Sequence, residues 1–401
     1  MANAIGNGGM ATDVVTPPSK GSLLSEQRLP ALAARLGAFV AGLVGPVRLG
    51  SRVIVAGHAD VREVLARDLD FRIAPVNEAR IDAVNGPFVL GMDRGAQLVR
   101  ERGALYEALS AVDLAPIREA VAEEAAERVS AASRTIDVVN GYARPIAAQT
   151  ARSLFGISGP DERTFVDVAR AIFAHIFLNL SGDEVVADRA LRASALMRAW
   201  FDEEIGKRRA SGELGTDMMG ALMRRGDLDK DDGVRRILGG MLVGSIDTTA
   251  SSVAKIAAVI GRDKELAARV AADVDDEARL AGWCREALRR WPHNPLVLRQ
   301  AVAPTRLGDR EIKANDQIFV WTQAAMLDPS AFPNPQELRP DRPAAAYLHF
   351  GGGLHPCAGR VVNAFQIPLL VGALVRRGIK SVGSVEWAGP FPDHVAVEFE
   401  R

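Results

Sequence analysis

The chain has 401 residues, and 48% hydrophobic with 25% charged residues is the composition of a water-soluble globular protein, large enough for about two or three average domains or one big one. A formal net charge of −1 excludes nucleic acid as the main partner and leaves electrostatic docking to local patches. Two cysteines and six histidines exclude a disulfide framework and a cysteine–histidine metal quartet, which points to a reducing, cytoplasmic setting.

Residues 1–24 are rich in Gly, Ala and Pro and lack the basic start and apolar core of a leader, so they are expected to form a disordered tail before a single domain over 25–401. Leu36 to Val47 is apolar but short and broken by glycine, well below a membrane span. Val53–Val55 reads as a short strand. Val61, Val64, Leu65 and Leu69 recur at helical spacing and predict an amphipathic helix over Ala59–Phe71, with His58 in a solvated junction. Residues 72–97 hold Pro75, Gly86 and Pro87 without a sustained period and read as a long, functional or mobile loop. From 113 to 227 helical patterns follow one another, broken at 156–160, 181–183 and 211–212. The apolar run 171–180 carries His175 and reads as the end of a core helix.

Gly233 to Ile260 is nearly free of charge yet carries a central Asp247, and a buried carboxylate is costly unless paired or used. Gly244, Ser245, Thr248 and Thr249 around it are poorer helix formers than Ala and loosen the hydrogen-bond ladder, so that water or a small ligand can insert. One reading of Asp247 is a proton-handling acid; the other is a simple ion pair inside a structural helix. Glu286 and Arg289 share a helix face, a spacing that by itself describes a common exposed pair. Short antiparallel strands are expected over 299–321. A Pro-punctuated meander then leads to a helix over Val361–Arg377, which holds Pro368, and to a hairpin with its tip at Pro390-Phe391.

The meander ends in Phe350-Gly351-Gly352-Gly353-Leu354-His355-Pro356-Cys357-Ala358-Gly359-Arg360. Three consecutive glycines let the backbone take positive φ and press against a flat partner, and a cysteine at a helix start meets unpaired N–H groups that favour the thiolate. A phosphatase cradle needs about five residues between Cys and Arg, and only Ala358 and Gly359 intervene here. The plain alternative is a buried structural cysteine.

Phe350-x-x-Gly353-x-His355-x-Cys357-x-Gly359 resembles the haem-binding loop of the cytochromes P-450, haem-thiolate monooxygenases. Gly244-Ser245-Ile246-Asp247-Thr248-Thr249 resembles that family's oxygen-binding signature, with Ser245 in place of the usual second glycine. Glu286-x-x-Arg289 followed by Arg342 resembles its Glu–Arg–Arg charge network. The resemblance covers roughly residues 50–400 and implies a mainly α fold with small peripheral β-sheets, haem lying between the long central helix and the cysteine loop. It implies haem b with Cys357 as axial ligand, a thiolate that pushes electron density towards O–O cleavage. Phe350 then shields the sulfur, Gly353 and Gly359 bring the loop close to the ring, and His355 and Arg299 hold propionates. Along Gln97–Leu109, where the family uses a His or Trp and an Arg, this chain has Gln97 and Glu101, leaving Arg100 or Arg102 to supply the charge. Thr248 positions dioxygen and its proton-donating water, and Asp247 helps relay protons in the groove beside Gly244. The same resemblance makes 171–180 a lid and draws a substrate pocket from Leu90, Phe173, Met241 and Gly244, with Leu296, Val297 and Phe391 across from them. It implies O₂, an apolar small-molecule substrate and a ferredoxin-type donor with its reductase, since no flavin, nicotinamide or iron–sulfur fingerprint is present. The donor is expected on the cysteine-loop face, near Arg100, Arg102, Arg285, Arg290, Arg360, Arg376 and Arg377. Haem-thiolate peroxygenase, isomerase or dehydratase chemistry, or a non-catalytic haem or ligand-binding protein, are the competing functions.

Overall fold

The computed structural model describes residues 45–179, 181–388 and 391–400, without the side chain of Phe391. The expected tail over 1–24, the apolar stretch from Leu36 to Val44 and the hairpin tip at Pro390 lie outside the described residues.

A hairpin of β1 (Val47–Leu49) and β2 (Arg52–Val55) turns at Gly50, whose φ of 63° suits glycine. α1 (His58–Ala66) follows and buries Val61, Val64 and Leu65. It stops five residues short of the expected end, because Phe71 opens β3 (Phe71–Arg72) and pairs with Ala301. α2 (Ala74–Asn85) overturns the expected loop over 72–97. Pro75 occupies its first turn, where a missing N–H costs nothing, and Gly86 at φ 79° ends it.

α3 (Ala96–Ala111) and α4 (Ala115–Ala131) lead to the short β4 (Thr135–Asp137) and a π-helical turn over Val138–Ala143. α5 (Arg144–Phe155) ends at the left-handed Gly156, one of the expected breaks. α6 (Glu162–Phe173) runs into a second π-helical turn, Ala174–Leu178, so the apolar run around His175 is a helix end with a bulged ladder. Asp183 then caps α7 (Glu184–Ser211) by accepting from the Val185 and Val186 N–H groups, and Gly212 closes it in the left-handed region. α8 (Met218–Met223) is short.

α9 (Lys230–Ser245) and α10 (Asp247–Gly261) form the central rod, interrupted at Ile246. The span Lys230–Gly261 is long and apolar enough to cross a membrane, but 72% of its most apolar window is buried inside the protein, as a core helix requires. α11 (Lys264–Ala272) and α12 (Glu277–Arg290) follow, then β5 (Val297–Ala301), β6 (Thr305–Leu307), β7 (Arg310–Ile312), β8 (Gln317–Val320) and α13 (Thr322–Ala325). α14 (Arg360–Arg376) leaves the cysteine loop, and β9 (Ile379–Ala388) and β10 (Phe391–Phe399) make the final hairpin.

The strands form peripheral sheets ordered β1-β2-β8-β5-β3, β4-β10-β9 and β6-β7. The strands of 299–321 pair with one another antiparallel as expected, β5 with β8 and β6 with β7, and β8 also pairs parallel to β2 from outside that stretch. The main core gathers around α10 and α14, with Ile256, Leu370 and Leu374 fully buried; each such side chain stabilises the fold by roughly 1.5–3 kcal/mol. A smaller core holds the five-stranded sheet against α1 and the meander through Phe332 and Leu348.

Candidate active site

Gly351 and Gly353 take φ of 70° and 64° in the cysteine loop. At Gly353 the close neighbour is the Leu65 carbonyl of α1: an added Cβ would lie 1.7 Å from it, so glycine is required for the loop to cross α1. The Cys357 N–H donates to the Phe350 carbonyl at 2.9 Å, closing the loop, and the Phe350 ring packs on His349. α14 begins at Arg360, one residue before the expected Val361, with Cys357 three residues ahead of it. Burial pushes the Cys357 thiol up, and the Gly359 and Arg360 N–H groups with the Arg360 charge pull it back in part. The residue nonetheless keeps solvent-accessible surface.

The second motif lies at the interruption between α9 and α10. The Thr248 hydroxyl donates to the Gly244 carbonyl at 2.5 Å and the Thr249 hydroxyl to the Ser245 carbonyl at 2.8 Å, so side chains claim acceptors that belong to the backbone ladder. The Thr249 hydroxyl also reaches Asn363 Oδ1 at 3.2 Å, tying α10 to α14 one turn past Cys357. Asp247 is buried, and both of its oxygens are held: Arg144 Nε lies 2.8 Å from Oδ1 and Arg170 Nε 3.2 Å from Oδ2. Asp393 on β10 shares both arginines, at 3.4 Å from Arg144 and 2.7 Å from Arg170.

Behind the loop, Glu286 and Arg289 are both fully buried, not an exposed pair. Arg289 grips the carboxylate through two bonds of 2.7 and 2.9 Å, Arg342 adds a third at 3.3 Å, and the Tyr347 hydroxyl donates at 2.7 Å. Cys284 is packed nearby in α12, and burial lifts its thiol to about 12.

A cytochrome P450 family model matches residues 203–377, which include the groove, the charge network and the cysteine loop. The chain is 28% identical over 376 residues to cyclooctat-9-en-7-ol 5-monooxygenase of Streptomyces melanosporofaciens, covering 82% of this chain and 81% of that one. It is 25% identical to mycinamicin IV hydroxylase/epoxidase of Micromonospora griseorubida, covering 81% of each. The crystal structure of CalO2 superposes with a TM-score of 0.82 at 20% identity, over 95% of this chain and 99% of that one. The chain is similar in sequence and in fold to the cytochromes P450.

The residues present suit the P450 cofactor. A Cβ added at Gly244 would meet no atom within 4 Å, and one at Gly359 only the Cys357 sulfur at 3.6 Å, so the facing surfaces leave room for a flat ring. Arg299 is buried, yet it donates only to the Leu298 carbonyl and has no ion-pair partner among the described residues. Burial pushes its guanidinium down to about 10 against the raising field of Asp93, a state that a propionate would relieve. The neighbouring His355 has Nε2 on the Met92 carbonyl at 2.9 Å, and burial lowers its ring. On α3, Glu101 is buried against Arg236 at 3.0 Å. Arg102 lies over Tyr106, whose hydroxyl meets the Pro356 carbonyl, whereas Arg100 acts on Asp227; it is Arg102 that neighbours the cysteine loop.

Of the expected pocket residues, Phe173 and Met241 are buried in the main core with Leu90 packed beside it, while Val297 joins the smaller core and Leu296 is half-buried. The Phe391 side chain lies outside the described residues. Phe88, which the sequence reading passed over, presses on Gly240, where a Cβ would come within 2.5 Å of its ring. Arg144, Arg170 and Asp393 were also missed. The apolar segment holding Asp247 signals that a partner is needed, but nothing local names one.

Proposed function

We propose that this chain is a cytochrome P450 that inserts one oxygen atom of O₂ into an apolar small molecule, with electrons from a separate ferredoxin-type protein and its reductase, in the cytoplasm. The observation that carries the reading is the exposed Cys357 sulfur just ahead of α14 together with a helix interruption that presents Gly244 and Thr248 and is tied to α14 through Thr249 and Asn363. Bound haem supplies the dioxygen chemistry, with the Cys357 thiolate as its electron-donating ligand. Arg299, His355 and Arg102 would hold its propionates. The Thr248 hydroxyl keeps its proton on the Gly244 carbonyl and so offers lone pairs to a water in the groove, fixing that water as proton donor. Asp247 passes protons towards that water after turning from its arginines. Phe173, Met241 and Leu90 supply apolar walls. Arg360, exposed beside the ligand, and Arg102 form the donor's landing site, since Arg376 is engaged by Asp275 and Arg377 by the Val129, Ala132 and Ser133 carbonyls.

The grip on Asp247 favours a second reading, turnover on peroxide without a proton relay. Thr248→Ala separates the two. Electron-driven product formation per electron consumed should fall, with peroxide as the diverted product, by part of the roughly 10²–10⁴ that positioned proton transfer contributes. Unchanged coupling in Thr248→Ala, with peroxide supporting full turnover, would establish the second reading.

A further inference from the structure

Four charges from four elements meet around Asp247. Asp247 opens α10, Arg144 opens α5, Arg170 lies in the last turn of α6 and Asp393 sits on β10. Each arginine touches both carboxylates, and their distances lean opposite ways. Arg144 is nearer Asp247, at 2.8 against 3.4 Å, and Arg170 is nearer Asp393, at 2.7 against 3.2 Å. The burial cost on the Arg170 guanidinium is outweighed by Asp247 and Asp393, which together hold it above its ordinary range. Asn140 fixes the arrangement: its amide N–H donates to the Asp393 carbonyl at 2.6 Å while its Oδ1 accepts from Arg144. Asp167, one turn earlier on α6, feels both arginines but pairs with Arg163 at 3.7 Å and stays outside the exchange.

A carboxylate held by the buried Arg144 and the half-buried Arg170 turns away at a cost unless they find another anion, because stranding buried charge is costly. Asp393 Oδ1 already touches both guanidiniums, so that anion is in place. We propose that Asp393 is a positioning residue that takes over Arg144 and Arg170 when Asp247 turns into the groove, and so sets how readily Asp247 can move a proton. This rests on the relay role given to Asp247 above. Asp393 touches neither substrate nor cofactor in this role; its anionic charge is what matters.

Two measurements test it. The first is oxygen consumption by the haem-loaded enzyme with a plant-type ferredoxin, its reductase and NADPH, in H₂O and in D₂O, without organic substrate. Asp393→Asn keeps size and hydrogen bonding but removes the charge. It should slow consumption about tenfold and enlarge the H₂O/D₂O ratio, while Asp393→Glu recovers part of both. In an Asp247→Asn background, Asp393→Asn should add nothing. The second is a crystal structure of Asp247→Asn, in which both guanidiniums should gather on Asp393. An equal slowing by Asp393→Asn in both backgrounds, or an unchanged isotope ratio, or arginines turned to solvent in that crystal, overturns the exchange alone. If Asp247→Asn itself is as fast as the parent, the relay reading fails and the exchange falls with it.

Discussion

Lys255 lies two turns beyond Thr248 on α10 and is 3% exposed. Its ammonium has one hydrogen-bond acceptor among the described residues, the Pro292 carbonyl at 3.0 Å, and it sits 5.6 Å from the Trp291 ring centre. Burial drives its pKa from 10.5 down to about 7. About 3.5 units at 1.36 kcal/mol each means that a charged Lys255 costs the fold roughly 5 kcal/mol relative to the unfolded chain. The sign follows from proton binding. Between pH 7 and 10.5 the unfolded chain holds the proton more tightly, so stability rises with pH across that window and the penalty is fully present below it. Lys255→Met keeps the stem and removes the amine, leaving the Pro292 carbonyl without its donor at a cost of about 1–3 kcal/mol. The variant should therefore be more stable than the parent by roughly 2–4 kcal/mol near pH 7 and less stable by about 1–3 kcal/mol above pH 10. Urea unfolding of both haem-loaded proteins at several pH values gives the difference, in which other titrating groups cancel. A difference that stays constant from pH 7 to 10 would refute the argument.

Glu286→Gln or Arg289→Ala strands the partners of a fully buried network and should cost about 3–5 kcal/mol, read as a lower melting temperature and little haem-loaded protein; parental melting and loading would contradict this. Cys357→His should abolish the red-shifted Soret band of the reduced carbon monoxide complex, whereas Cys284→Ala, which removes only a packed thiol, should keep it. A normal thiolate band in Cys357→His would remove the assigned ligand.

The cysteine loop was legible because its requirements are local: positive φ, a close crossing and a ligand all fall within ten residues of chain. The helix interruption was half legible. Small and hydroxyl-bearing residues foretold a loosened ladder, and the break falls at Ile246, whose neighbours' carbonyls are captured by Thr248 and Thr249. α2 was misread because Pro75 and Gly86 were taken as loop residues when they mark a helix start and stop. At Cys357 the expected N-terminal field is present, with the Gly359 and Arg360 N–H groups drawing the thiol down, while burial acts against it and is the larger effect. Arg144 and Asp393 could not be read at all. Arg144 is 103 residues from Asp247 and 249 from Asp393, and their pairing exists only once α5, α10 and β10 have packed.

The two buried charge clusters differ in a way that bears on what each can do. Both oxygens of Glu286 are saturated: Oε1 accepts from Arg289 Nε and the Tyr347 hydroxyl, and Oε2 from Arg289 Nη2, Arg342 Nε and the Arg339 N–H. Tyr347 is held protonated by its burial and by that carboxylate. With one carboxylate serving two arginines, no second anion contacts them among the described residues, and moving any member strands another. Such a cluster has a single arrangement and can only hold its elements in place. Around Asp247 the two arginines meet two carboxylates, and Asp393 Oδ1 is already shared. Two anions for two cations permit a second arrangement in which no charge is left alone. The second, half-buried carboxylate of Asp393 is what a fixed cluster would lack and a moving one requires.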